Sequence, residues 1–214
     1  MGDSGENTIV KSASAIILAG GRSARMGRTK ATLRLGSVTL IERTVAELAR
    51  GFDDIVVIAA PESEDVELPA LGAVTIAHDV DAYQGPVGAL ARGLRAARHE
   101  VAFACSCDLP MLRCEAASWL LSLIGDYDAV IPEIGGRLQP LHAVYRRRCA
   151  DALDAMLAHG EHHLSAIADA VNARIISEAE YRSADPDALS CFNINTPEDY
   201  ERASKLAATK SPRR

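Results

Sequence analysis

The sequence predicts an α/β fold built on a doubly wound, mostly parallel sheet, and two observations carry that prediction. Five short apolar runs, at residues 15–18, 55–58, 74–76, 101–104 and 129–131, are continuous rather than alternating. A strand with one wet face alternates apolar and polar residues; a strand covered on both faces does not, and parallel strands are of the second kind. Helical patterns fall between these runs, and such a βαβα succession implies right-handed crossovers that place helices on both sides of the sheet.

Each helix has its own signal. Thr39 followed three residues later by Glu42 fits a capping box, and Leu40, Ile41, Val45, Leu48 and Phe52 then fall on one stripe. Pro86 suits the first turn of a helix that continues through Leu90 and Leu94. A third helix carries Trp119, Leu120, Leu123 and Ile124. Thr196 before Pro197 and Glu198 reads as the N-cap of a last one.

Bulk composition sets limits on function. The 214 residues suit a single domain, expected over residues 14–204, with disordered tails at 1–13 and 205–214. Hydrophobic residues make up 48% and aromatics only 4%, so the core must rest on Ala, Leu, Val and Ile. A net charge of −6 argues against general affinity for nucleic acid or an anionic membrane. No run is long enough to span a bilayer, and Glu6 spoils the myristoylation pattern that Met1-Gly2 would open. Five cysteines form an odd set without scaffold spacing, which favours reduced thiols and a cytoplasmic location. Cys105-Ser106-Cys107 could hold a metal or react, but two small residues ending a buried strand are the commoner case.

In a doubly wound sheet, ligands bind beyond the carboxyl ends of the strands, so the loops after each strand are where chemistry is expected. The loop after the first strand reads LAGGRSARMGRTK over residues 18–30. Gly20 and Gly21 let the backbone approach a ligand closely, with amide N–H groups free to face phosphate oxygens. Arg22, Arg25, Arg28 and Lys30 put four cations within nine residues of an acidic chain. Neither a Walker A loop nor the dinucleotide fingerprint Gly-x-Gly-x-x-Gly is present.

Three further segments complete the set. Asp108, in CDLPML after the strand at 101–104, places a carboxylate where it could ligate Mg²⁺ between triphosphate oxygens. The stretch from His78 and Asp79 to Gly85 and Pro86 joins a strand to a helix N-terminus suited to an anion or to base and ribose contacts. In FNINTPEDY, Asn193 and Asn195 alternate, so an extended chain would point both to one face, for Mg²⁺, for an acceptor, or for hydrogen bonds within a buried loop.

In order along nearly the whole chain, these segments resemble the molybdenum cofactor guanylyltransferase family, within the nucleotide-diphospho-sugar transferase fold, a three-layer Rossmann-like sandwich. LAGGRSARMGRTK is the most specific match; QGPVGAL, CDLPML, QPLHAVYR and FNINTPEDY follow it. The resemblance implies Mg²⁺-dependent transfer of GMP from GTP to the phosphate of molybdopterin or Mo-molybdopterin, with pyrophosphate released. It implies that Leu18, Ala19, Gly20 and Gly21 bind the nucleotide, that Lys30 meets the triphosphate and Asp79 the nucleoside. Asp108 would hold the Mg²⁺ ion, Arg25 would neutralise the β- and γ-phosphates, and Asn193 and Asn195 would face the pterin acceptor. Arg25, Lys30 and Asp108 form the implied catalytic set.

The family often carries Asp before the loop lysine, where this chain has Thr29. Asp79 is placed only by its spacing to Gly85-Pro86, and a shift of one residue would substitute His78. Ala59-Ala60-Pro61 stands where many relatives have Asn after the second strand. Molybdenum-insertion proteins and molybdoenzyme chaperones are the protein partners the resemblance suggests. The alternatives are a transferase of the same fold using CTP, or another NTP with a sugar or small-molecule phosphate, and a non-catalytic nucleotide- or cofactor-binding protein.

Overall fold

A computed structural model describes residues 12–19, 32–59, 74–78 and 85–210. Its first half contains β1 (Ala13–Leu18), β2 (Arg34–Leu35), β3 (Val38–Thr39), α1 (Leu40–Leu48), β4 (Ile55–Ala59), β5 (Val74–His78), α2 (Gly85–Ala96) and β6 (Val101–Ser106). The second half adds α3 (Cys114–Ser122), β7 (Ala129–Ile134), β8 (Arg137–Leu138), β9 (His142–Arg146), α4 (Cys149–Ala158) and α5 (Ile167–Ala170). It closes with β10 (Ala173–Ile176), α6 (Glu178–Tyr181) and α7 (Pro197–Lys210). All five strands read from apolar runs are there.

Among the described residues the main sheet has the order β10-β7-β9-β6-β1-β4-β5, with β8 paired to β7. The pairs β1–β4, β1–β6, β4–β5 and β7–β10 are parallel. Strand β9, which the apolar runs do not announce, lies antiparallel between β6 and β7. Two reversals restore direction, so β7 and β10 run the same way as β6. The carboxyl ends of β5, β4, β1, β6 and β7 therefore share one edge, and it is the amino end of β9 that meets them there.

Alternation across the strands divides the core into two layers. Ala15, Ile17, Val57, Phe103, Cys105 and Val130 pack on one face with Ile41, Val45 and Leu48 of α1 and Leu120 of α3. Ile16, Leu18, Val56, Ile58, Ala104 and Ile131 pack on the other with Leu90 and Leu94 of α2 and Leu153 of α4. Helix α2 comes so near the sheet that a Cβ on Gly93 would stand 2.5 Å from Ile16 Cγ2. Glycine is therefore required there by contact rather than by backbone angle.

Local signals fix the helix ends. Glu42 N donates to Thr39 Oγ1 at 3.2 Å and Thr39 N donates to Glu42 Oε2 at 2.6 Å, the reciprocal capping box at the start of α1. Asp199 N donates to Thr196 Oγ1 at 3.1 Å and Thr196 N donates to Asp199 Oδ2 at 2.9 Å at the start of α7. Residues 205–210, expected as tail, instead continue α7 to Lys210. Their helicity has a packing reason: Leu206 and Ala207 lie against a small third cluster of Leu35, Leu40, Met111, Ile194 and Ala203. That cluster joins the residues that follow the glycine loop to the Asp108 turn. Helix α3 stops at Ser122, and Leu123 and Ile124 pack against the first layer just beyond it. No helix among the described residues is long and apolar enough to cross a membrane.

Candidate active site

Parallel register brings the predicted loops to one place. Leu18, the last residue of β1, pairs with Ile58 on one side and with Ser106 on the other. The pairing runs one residue further: Ala19 N donates to Ile58 O at 2.9 Å and Cys107 N donates to Leu18 O at 3.1 Å. The exits of β1 and β6 are thus locked side by side. Gly20, Gly21, Arg22, Arg25, Arg28, Lys30 and Asp79 lie outside the described residues, as does the side chain of His78.

Asp108 is only 7% exposed, two residues past the end of β6. Burying a carboxylate is costly unless hydrogen bonds replace its water. Ser106 Oγ donates to Asp108 Oδ1 across the turn that follows β6. The Asp108 backbone carbonyl accepts from Ile194 N at 3.0 Å. Arg43 of α1 reaches over to donate from Nε to Pro110 O at 2.7 Å, and Glu47 Oε1 accepts from Cys114 N at 2.9 Å. The turn from Asp108 to Cys114 is therefore pinned from the helix side and from the C-terminal side at once.

The Ile194 bond also settles where the asparagines lie. Ile194 is fully buried in the third cluster, while Asn193 is half-buried and Asn195 exposed. The segment that carries the two amides adjoins Asp108 through the Ile194 bond. Sequence reasoning missed Ser106 and Arg43 as supports. The i, i+2 spacing to Asp108 could have found Ser106; nothing in the sequence ties Arg43 to Pro110, 67 residues away.

Cys105 and Cys107 both pack in the first core layer, and all five cysteines are buried free thiols. Burial holds the Cys105 thiol well above its usual range, so the strand-end reading of Cys105-Ser106-Cys107 is the one the surroundings match. Among the described residues no group of three or more His, Cys, Asp or Glu comes together as a metal cage. Mg²⁺ keeps several waters and takes one or two carboxylates plus substrate oxygens, so a single buried Asp can suit it without a protein cage. A groove lined by Arg43, Glu47, Pro110, Met111 and Arg113 flanks the Asp108 turn. The cleft of Asp128, Arg148 and Asn172 sits by the amino end of β7, at the opposite edge of the sheet.

Below the edge, His142 Nε2 and the Tyr181 hydroxyl are hydrogen-bonded at 2.7 Å, with both side chains buried. Burial lowers the His142 pKa from 6.5 to about 4, with the Asp185 carboxylate opposing the shift. Between those values the unfolded chain binds a proton that the folded chain refuses, so stability falls as pH falls through this window. The expected loss from pH 7 to pH 4 is about 3 kcal/mol for this group. Urea unfolding of the protein and of His142→Gln at the two pH values checks this; the variant should lose less stability by about that amount.

A family model for the MobA-like NTP transferase domain matches residues 15–175. The chain belongs to that family. Its MobA-like relatives are similar along nearly their whole length. The molybdenum cofactor guanylyltransferase of Desulfosudis oleivorans is 36% identical, over 92% of this chain and 96% of its own. A probable molybdenum cofactor guanylyltransferase of Mycobacterium avium is 36% identical over 90% and 95%. Among solved structures, molybdopterin-guanine dinucleotide biosynthesis protein A of Archaeoglobus fulgidus superposes with a TM-score of 0.79 at 23% identity, covering 92% of this chain and 99% of that one. The 2-C-methyl-D-erythritol 4-phosphate cytidylyltransferase of Thermus thermophilus gives 0.66 at 19% identity, over 92% and 99%. These two structures share the fold of this chain, whose parallel run β6-β1-β4-β5 is flanked by helices on both sides.

Proposed function

We propose that the chain transfers GMP from GTP to the phosphate of molybdopterin or Mo-molybdopterin, releasing pyrophosphate and forming molybdopterin guanine dinucleotide. The observation that carries the reading is the placement of Asp108: a buried carboxylate at the carboxyl edge, beside the exit of β1 and bonded through its backbone to the Asn193–Asn195 segment. The guanylyltransferase names of relatives matching over nine-tenths of the chain support the choice of substrate.

In this reading an oxygen of the acceptor's phosphate monoester attacks the α-phosphorus of GTP. The bond from that phosphorus to the β-phosphate's bridging oxygen breaks, and pyrophosphate departs. A phosphate oxyanion is nucleophilic at neutral pH, so no Ser–His or Cys–His pair is required. Asp108 would hold Mg²⁺, which would supply charge neutralisation on the triphosphate. Ser106 orients the carboxylate from beneath. Leu18, Ala19, Gly20 and Gly21 admit the nucleotide to the backbone, and Asp79 meets the nucleoside. Lys30 and Arg25 offset charge on the triphosphate and on the leaving pyrophosphate. Asn193 and Asn195 hold the acceptor in line, the alignment term of the catalysis. The reaction belongs in the cytoplasm, where molybdenum-insertion proteins and molybdoenzyme chaperones would supply the acceptor and take the product.

Thermal stability with GTP, CTP, ATP and UTP, each with and without Mg²⁺, tests the nucleotide side. A ligand at one hundred times its Kd adds about 2.7 kcal/mol of stability, well within detection. Stabilisation by GTP with Mg²⁺ is expected. Selective stabilisation by CTP would move the chain to cytidylyl transfer, and no response to any nucleotide would count against catalysis.

A further inference from the structure

Two polar side chains face each other inside an otherwise apolar layer, and their positions link both halves of the candidate site. His142 opens β9 opposite Cys105 of β6, three residues before Asp108. The preceding residue, Leu141, accepts from Ser106 N at 3.3 Å. His142 therefore sits directly under the strand end from which Asp108 emerges. Its ring meets Phe103 edge-on at 5.2 Å and Tyr181 at 5.6 Å, and its Nε2 bonds the Tyr181 hydroxyl at 2.7 Å.

Tyr181, packed edge-on to Trp119, ends α6 and begins the return toward the site. Its carbonyl accepts from Ala184 N and Asp185 N, both at 3.1 Å. Tyr181 and Cys191 are both buried in the first core layer. Asp185, 3% exposed, accepts from Ser190 N at 2.7 Å and so holds the single helical turn Leu189–Cys191. Three residues after Cys191, Ile194 N donates to the Asp108 carbonyl. The contacts form a closed ring: Asp108, β6, His142, Tyr181, Asp185, Ser190, Ile194 and Asp108 again.

An apolar pair would fill the same space without this cost, for His142 Nδ1 is buried with no partner among the described residues. A directional bond kept at that cost fixes one arrangement rather than adding net stability. We infer that His142 and Tyr181 are positioning residues, whose hydrogen bond sets the Asn193–Asn195 segment against Asp108 and so governs acceptor affinity. The inference rests on the reading of those asparagines as the acceptor side.

Tyr181→Phe in the full chain removes one oxygen and keeps the ring. The Michaelis constant for molybdopterin is expected to rise on the order of tenfold, while GTP·Mg²⁺ stabilises the variant as it does the parent. Hydrogen exchange at the Ile194 amide should quicken at least tenfold, with the Ile16 and Ile17 amides of β1 unchanged. His142→Gln, which can still bond the phenol, should show a smaller rise in both. An unchanged Ile194 amide, or faster exchange spread equally into β1, would overturn the inference. If Tyr181→Phe does not fold, the apolar pair His142→Phe/Tyr181→Phe is measured in its place, with the same expectations. Should the parent transfer nothing to molybdopterin, the functional reading fails, and the exchange data alone still decide whether the pair positions the segment.

Discussion

Asp108→Ala is expected to abolish transfer while leaving the fold intact. Asp108 is 7% exposed; Ser106 Oγ donates to its carboxylate and Ile194 N donates to its backbone carbonyl. Of these two bonds, the Ser106 bond goes with the side chain. The backbone bond to Ile194 survives, and a buried charge with its desolvation cost is removed. Thermal stability without ligand should therefore change little, whereas the added stability from Mg²⁺ with GTP disappears. Asp108→Asn separates shape from charge: it can still bond Ser106, and it should be nearly as inactive if charge is what holds the metal. Pyrophosphate release at saturating Mg²⁺ is the measurement. Turnover at the parent rate in Asp108→Ala would remove this residue from the metal site.

Arg25→Ala is expected to lower the transfer rate on the order of 10²-fold, the size found when one preorganised electrostatic stabiliser is removed. Charge accumulates on the β- and γ-phosphates as pyrophosphate leaves, so the loss should fall on kcat more than on the Michaelis constant for GTP. Arg25→Lys keeps a cation but not the planar fork and should recover part of the rate. A variant with unchanged kcat and weaker GTP binding would assign Arg25 to ground-state binding instead.

The parallel centre of the sheet was readable in the sequence because strands buried on both faces leave continuous apolar runs, as residues 15–18 and 55–58 do. The capping box at Thr39 was readable because Glu42 stands three residues on, and the N-cap at Thr196 because Pro197 and Glu198 follow it directly. Strand β9 escaped for the opposite reason. Its five residues, HAVYR, are too short and too mixed to show a period, and only pairing with β6 and β7 makes them a strand. Helix α7 was cut short in the reading because the chain ends in the polar run Thr209-Lys210-Ser211-Pro212-Arg213-Arg214, and Leu35 and Met111, in the cluster that Leu206 and Ala207 join, are distant in sequence. In the site, Asp108 and the asparagines carried local motifs, whereas Arg43, His142 and Tyr181 act across long separations that no spacing rule reaches.

The most direct test offers the purified chain molybdopterin and Mg²⁺ with either GTP or CTP, and identifies the products by mass. The proposed function predicts molybdopterin guanine dinucleotide with one pyrophosphate per turnover from GTP, and little product from CTP. A cytosine dinucleotide as the main product, or nucleotide binding with no transfer from either NTP, would contradict it.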